Sequence, residues 1–144
     1  MEKKQRTLNN KGFSLIELIV VIAIMAILVG VLAPQFIQYI ESSKQSTDIQ
    51  SASAIRSAIE AGVADGTITA DVKVEVTSTG IKVDDNGKAA VEAVGIAQIT
   101  PCKSAGWKAE EIAKYNYNTF KWTVPAAGSP NTKKPNRDIC TAFK

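Results

Sequence analysis

The sequence predicts an α+β fold: one very long N-terminal helix, apolar in its first half and amphipathic in its second, packed against a small antiparallel β-sheet. Three observations predict it. Phe13 to Ala33 is a run of 21 residues in which Ser14 and Glu17 alone are polar. Ile49, Ala52, Ile55, Ile59 and Val63 then recur at steps of three and four, the spacing of one helix face. Past Gly66 the pattern turns to alternation, strict in Val72-Lys73-Val74-Glu75-Val76, with turn residues between the runs. A chain of 144 residues gives one small core plus the apolar helix, with no room for a second core.

Residues 1–12 carry Lys3, Lys4, Arg6 and Lys11 against Glu2, and show no apolar periodicity, so they predict a short basic leader rather than a folded element. From Phe13 onward 13 basic side chains balance 13 acidic ones, so the chain's +3 belongs to the leader. Positive residues beside a first apolar helix hold that end in the cytoplasm, which puts the N-terminus inside and the C-terminal part outside. As a helix, Phe13–Ala33 is about 31 Å long, enough to cross a hydrocarbon layer of about 30 Å. Glu17 is the oddity, because a carboxylate well inside a bilayer costs about 2.5–3.5 kcal/mol. Its place in the first turns lets the helix dipole offset part of that cost. A secretory signal would need a small-residue cleavage site, and the only candidate, Val31-Leu32-Ala33, runs straight into Pro34. A plain uncleaved anchor explains the length but neither Gly12-Phe13 nor Glu17.

Gly30 and Pro34 stand four residues apart. Proline cannot donate to the carbonyl of residue 30 and its ring crowds it, while glycine softens the same turn. The pair predicts a kink or a locally melted segment, not the helix end, because Phe36, Ile37 and Ile40 resume the apolar spacing. Gly62 and Ala64-Asp65-Gly66 end the helix. Val72–Val76 and Ile81–Val83 are predicted strands, and Asn86-Gly87 a hairpin turn. Residues 88–99 read as a helical turn or a strand. Ser104–Ala113 reads as a short helix, and Tyr115–Val124, which alternates aromatic and polar positions, reads as the clearest strand, a single one. Pro125, Gly128, Pro130 and Pro135 then break the pattern.

The block Gly12-Phe13-Ser14-Leu15-Ile16-Glu17, followed by the apolar helix, resembles the processing site of type IV prepilins, the type IV pilin-like proteins that include pseudopilins. The resemblance covers about residues 11–62. It implies a pilin-like fold divided into a leader 1–12, an apolar transmembrane and assembly helix 13–39, and an extracytoplasmic domain 40–144. It implies cleavage between Gly12 and Phe13 by a membrane-embedded prepilin peptidase, with methylation of the new amine on Phe13. Glu17 would pair with the amine of a neighbouring subunit, and the helix would bend at Gly30 and Pro34. The implied partners are further copies in a helical filament, the peptidase/methylase, the assembly platform with its ATPase, and the membrane. The chain would sit in the cytoplasmic membrane as a single-pass protein, N-terminus inside, before assembly and in an extracellular pilus (fimbrium) afterwards. Its role would be a structural pilus subunit in adhesion, twitching motility or surface contact. The alternative is a minor pilin or pseudopilin of a type II secretion or DNA-uptake machine.

Nothing points to catalysis. There is no histidine, the commonest general base and metal ligand, and no phosphate loop, dinucleotide fingerprint, nucleophile elbow or HExxH motif. No enzyme, metal or cofactor is expected. Asp84-Asp85 and Glu110-Glu111 read as solvated pairs, and Asp84-Asp85-Asn86-Gly87 as a turn too short for a calcium loop. Cys102 and Cys140, 38 residues apart in the part placed outside, are expected to form one disulfide. Residues 101–144 hold eight basic side chains against three acidic ones, interleaved with Trp107, Tyr115, Tyr117, Phe120, Trp122 and Phe143. Core filling with a lysine-rich exterior accounts for that pattern. So does contact with DNA or a host-surface ligand, since single-stranded nucleic-acid binders combine the same groups.

Overall fold

The computed structural model describes residues 12–107, 109–125 and 137–144. The chain forms two compact units, Met1–Tyr39 and Ile40–Lys144. Helix α1 spans Leu15–Ala64, 50 residues, and contributes to both. It runs unbroken through Gly30 and Pro34, so the pair neither ends nor melts it. Every residue from Gly12 to Ile40 is exposed. Burial begins at Asp48 and continues through Ala52, Ile55, Ala58, Ile59 and Gly62, the stripe that the three-and-four spacing marks out. At the C-terminus Ile68 N–H donates to the Gly62 carbonyl at 2.9 Å and Asp65 N–H to that of Ala61 at 3.0 Å. Gly66, at φ +81°, reverses the chain there, a conformation that costs glycine little.

The second half of α1 packs on an antiparallel five-stranded sheet of order β3-β2-β1-β4-β5. Its strands are β1 Val72–Val76, β2 Ile81–Val83, β3 Ile99–Thr100, β4 Glu110–Asn116 and β5 Lys121–Thr123. β1 is central and alternates strictly, with Val72, Val74 and Val76 buried against α1 and Lys73 and Glu75 outward. The two predicted strands, β1 and β2, stand as expected, paired with Val76 opposite Ile81 and Val74 opposite Val83.

Elsewhere the local reading is corrected. Asp84-Asp85-Asn86-Gly87 is not a hairpin turn but the start of helix α2, Asp85–Ala93. The Asp84 side chain accepts from the Gly87 N–H at 3.2 Å, an N-cap, and from the Lys73 N–H of β1 at 2.9 Å, which fastens the cap to the sheet. Gly87 is there for space: a Cβ would stand 2.6 Å from both Val72 Cγ1 and Val83 Cγ1. Residues 88–99 thus resolve as the rest of α2, a reversal at Gly95 with φ +79°, and the start of β3.

Ser104–Ala113 holds no helix where it is described, because β4 begins at Glu110. Between Val74 and Glu75 the β1–β4 register shifts, Val74 facing Ala113 and Glu75 facing Glu111. Ile112 is the extra residue of this bulge, so Ile112 and Ala113 are buried in succession. Tyr115–Val124 is a hairpin rather than one strand: β4 stops at Asn116, Tyr117–Phe120 turns, and β5 follows. Phe120 closes the turn at φ +53°, which costs a residue with a Cβ about 1 kcal/mol. Ile139 and Cys140 of α3 (Arg137–Cys140), with Ala142 and Phe143 of a following 3-10 turn, complete the core. The predicted breakers Gly128, Pro130 and Pro135, and the leader Met1–Lys11, lie outside the described residues.

The expected disulfide is absent: Cys102 and Cys140 are free thiols. The Cys102 thiol meets the Ile81 N–H of β2, whereas Cys140 lies within reach of the charge on Glu110 of β4. β1 runs between those two strands.

Candidate functional site

The residues singled out for processing lie immediately before α1. Gly12, Phe13 and Ser14 precede the first helical residue, Leu15. Phe13 is 92% exposed. A Cβ added at Gly12 would meet no atom within 4 Å, so nothing in the described structure requires glycine there, and the same holds at Gly30. The Ser14 N–H donates to Glu17 Oε2 at 2.8 Å, while the Ser14 carbonyl accepts from the Glu17 N–H at 3.1 Å. Glu17 therefore supplies the returning half of a capping box, satisfying a backbone donor that the helix leaves orphaned. The Ser-x-x-Glu spacing at 14–17 carries this signal, and a reading centred on membrane cost overlooks it.

Beyond the cap, α1 is long and apolar enough to cross a membrane, and its apolar stretch is wholly unburied. Ordinary soluble monomers expose contiguous apolar patches of only about 300–600 Å². An apolar surface running from Phe13 to Ile40 needs lipid or protein against it.

In the unit 40–144, Asp48 is a buried carboxylate, 2% exposed, on the same stripe as Ala52, Ile55 and Ile59. It accepts from the Lys103 N–H at 2.8 Å, the Ser104 N–H at 2.9 Å and Trp107 Nε1 at 2.7 Å. Glu41 adds a bond from Ser104 Oγ, which in turn accepts from the Gly106 N–H. These bonds fasten the Cys102–Trp107 loop to α1. A charge on an otherwise apolar stripe was the sequence signal for this latch.

Glu60 accepts from Arg56 Nε at 2.8 Å and from Trp122 Nε1 at 2.9 Å. Burial pushes its carboxyl up, but those two hydrogen bonds and the Arg56 charge outweigh it and hold the group below the usual carboxylate value. Trp122 lies between Tyr115, which it meets edge-on with ring centroids 5.1 Å apart, and Phe143, tilted at 50° with centroids 4.9 Å apart.

The interleaved aromatics and cations of 101–144 divide accordingly. Trp107, Tyr115, Trp122 and Phe143 are held by core contacts, and Lys114 is tied to Asp71 at 2.8 Å. Phe120, Lys121 and Lys144 stand at the surface. Lys108, Lys133, Lys134 and the Arg137 side chain lie outside the described residues. Of the acidic pairs, Asp84 caps α2, Asp85 accepts from Gln98 Nε2 at 3.0 Å and Glu111 faces Lys73 at 3.9 Å, whereas Glu110 buries Oε1 without a hydrogen-bond partner among the described residues. Among the described residues no cluster of three or more metal-ligating side chains occurs.

Comparison with known proteins bears on the N-terminal block. The family model described as the prokaryotic N-terminal methylation motif matches residues 7–33. The prepilin peptidase-dependent protein A of Clostridium perfringens is 39% identical over 58% of this chain and 66% of its own length. The type IV major fimbrial protein FimA of Dichelobacter nodosus is 45% identical over 39% of this chain and 36% of its own. The N-terminal block thus carries a prepilin-type methylation motif and is similar to type IV fimbrial proteins. A fimbrial protein of Pseudomonas aeruginosa is 27% identical across 88% of this chain and 92% of its own, so that likeness extends into the sheet domain. The matched part thus spans just under two thirds of the Clostridium protein and about a third of FimA. No solved structure matches the chain significantly. Pilins are structural subunits, not enzymes.

Proposed function

We propose that this protein is a structural subunit of a type IV pilus, made as a membrane-anchored prepilin. The observation that carries the proposal is the junction at Gly12-Phe13-Ser14: a glycine without an intrachain role, placed just outside a capped, membrane-length and wholly exposed apolar helix. Prepilin peptidase cuts between Gly12 and Phe13, and the new amine on Phe13 is methylated. The cut falls one residue outside the cap, so the Ser14 amide that donates to Glu17 survives as an amide. Residues 13–39 hold the chain in the membrane, with the leader inside, until the assembly platform and its ATPase draw it into a filament. There Glu17 pairs with the Phe13 amine of a neighbour through the carboxylate capacity that its single 2.8 Å bond leaves unused. Gly30 and Pro34 form the bend point within the filament.

Mass spectrometry of sheared surface filaments tests this reading, with an abundant chain beginning at N-methylated Phe13 expected. Filaments built from chains that retain Met1–Gly12 would overturn it. Retention in the membrane fraction, with scarcity in filaments, would assign the chain to a minor pilin or pseudopilin. Glu17→Gln separates the two roles of Glu17, because glutamine keeps the capping bond and removes the charge. A processed but poorly assembled Gln variant is expected. Normal filament yield from it would leave Glu17 with the cap alone.

A further inference from the structure

The segment Arg137–Phe143 is docked differently from the rest of the sheet domain. α3 and the 3-10 turn that follows it take no place in the sheet. Among the described residues one hydrogen bond joins them to the rest of the domain, from Arg56 Nη1 to the Ala142 carbonyl at 3.4 Å. Side chains make the hold instead. Ile139, Cys140, Ala142 and Phe143 are all buried, Phe143 being the largest of the fully buried side chains described, and its ring meets that of Trp122 in β5. By contrast the strands are joined through ladders, α2 through the Asp84 cap, and the Cys102–Trp107 loop through the Asp48 carboxylate.

The seat of this segment is also imperfect. Cys140 lies within reach of the Glu110 charge, and Glu110 Oε1 is buried without a hydrogen-bond partner among the described residues. A buried acceptor without a donor carries a desolvation cost that contact with water would relieve. On the outer side a hollow of about 410 Å³ borders Phe143, with Arg56, Glu60, Trp122 and Val124 in its lining.

We infer that Arg137–Phe143 is a lid that lifts as a unit from β4 and Trp122 while the helix, the sheet and their hydrogen bonds stay in place. Elements with few backbone ties open at a lower free energy than the whole domain. Closed, the lid completes the core and hides Cys140. Lifted, it bares that thiol, gives Glu110 access to water and uncovers the Trp122 ring. The lid and its seat both lie within residues 40–144, so the inference is independent of the filament reading.

Cys140 reports the lifting directly, and Cys102, in the loop tied to Asp48, is the internal reference. The full-length chain in detergent is incubated for hours with iodoacetamide at pH 8, and mass spectrometry of the peptides reads each thiol separately. In the parent chain the Cys140 rate should rise far less steeply with urea, below the unfolding midpoint, than global unfolding does, because a lid exposes only a small part of the buried surface. A slope equal to that of global unfolding would overturn the inference. Phe143→Leu shrinks the main contact of the lid but keeps it apolar. It should speed Cys140 by roughly tenfold or more and leave Cys102 within about twofold. Equal acceleration of both thiols, or none at Cys140, would overturn the inference as well.

Discussion

Asp48→Ala should destabilise the sheet domain by about 2–4 kcal/mol. The substitution strips the acceptor from three donors, the backbone N–H groups of Lys103 and Ser104 and the Trp107 indole N–H. A buried donor without a partner costs about 1–3 kcal/mol. Ser104 is 5% exposed and would bear that cost in full, whereas Lys103 and Trp107 reach solvent in part and recover some of it from water. Removing a desolvated charge offsets a further part. Asp48→Asn keeps the shape but turns an –NH₂ toward a backbone N–H, and should cost about 1–2 kcal/mol. Trp107→Phe removes one donor, and a double-mutant cycle with Asp48→Ala should return about 1 kcal/mol of coupling. The assay is urea unfolding of the detergent-solubilised chain, followed by the fluorescence of Trp122, which the Trp107 variant retains. Ser53→Ala, on the exposed side of the same helix, is the control and should lie within about 0.5 kcal/mol of the parent. If Asp48→Ala falls within the same limit, the loop is not fastened by this carboxylate.

Gly87→Ala tests packing against propensity: alanine favours the helix by about 1 kcal/mol, but its Cβ meets two valine methyls at 2.6 Å, so we expect a net loss of about 1–3 kcal/mol in urea unfolding. A gain would show that the helix shifts freely. Both thiols should alkylate slowly at pH 8, about a hundredfold slower than an unperturbed thiol, because burial pushes Cys102 and Cys140 up to about 11 from 9.0. Two thiols titrating only after denaturation is the expected count; none at all would restore the disulfide. Glu60 ionises lower in the fold than in the unfolded chain, so its contribution is complete above its unfolded value near 4.5 and is lost as pH falls through the folded one. Melting temperatures between pH 6 and pH 3 should fall less steeply for Glu60→Gln than for the parent, and identical profiles would remove Glu60 from the acid response.

The long helix and the strands β1 and β2 were legible because their burial has a clean period, 3.6 in α1 and 2 in β1. β4 was not, because its bulge buries Ile112 and Ala113 in succession and erases the alternation that marks a strand. With that cue gone, the helix-forming residues Ala109, Glu110 and Glu111 suggested the wrong element. α2 was misread for the opposite reason: Asn-Gly is a strong local turn signal, and tertiary packing overrode it by placing Gly87 against Val72 and Val83. At the candidate site the motif from Gly12 to Glu17 and the apolar run were plain in the sequence. The cap at Ser14 and the latch at Asp48 were present as spacing, in Ser-x-x-Glu and in a charge on an apolar stripe. The donors that Asp48 serves lie 55 to 59 residues away, and no local pattern reveals them.

The onset of burial at Asp48 also has a consequence for how this chain can change over generations. No side chain from Gly12 to Ile40 contributes to the core of the sheet domain. Under the proposed filament function, substitutions there are judged by lipid and by neighbouring subunits, whereas those in the stripe from Asp48 to Gly62 are judged by the domain's own interior. The two lineages of mutation can drift, recombine or be grafted separately. A chimera that joins a foreign apolar segment ahead of residue 40 should inherit the melting temperature of this domain and the assembly partners of the donor.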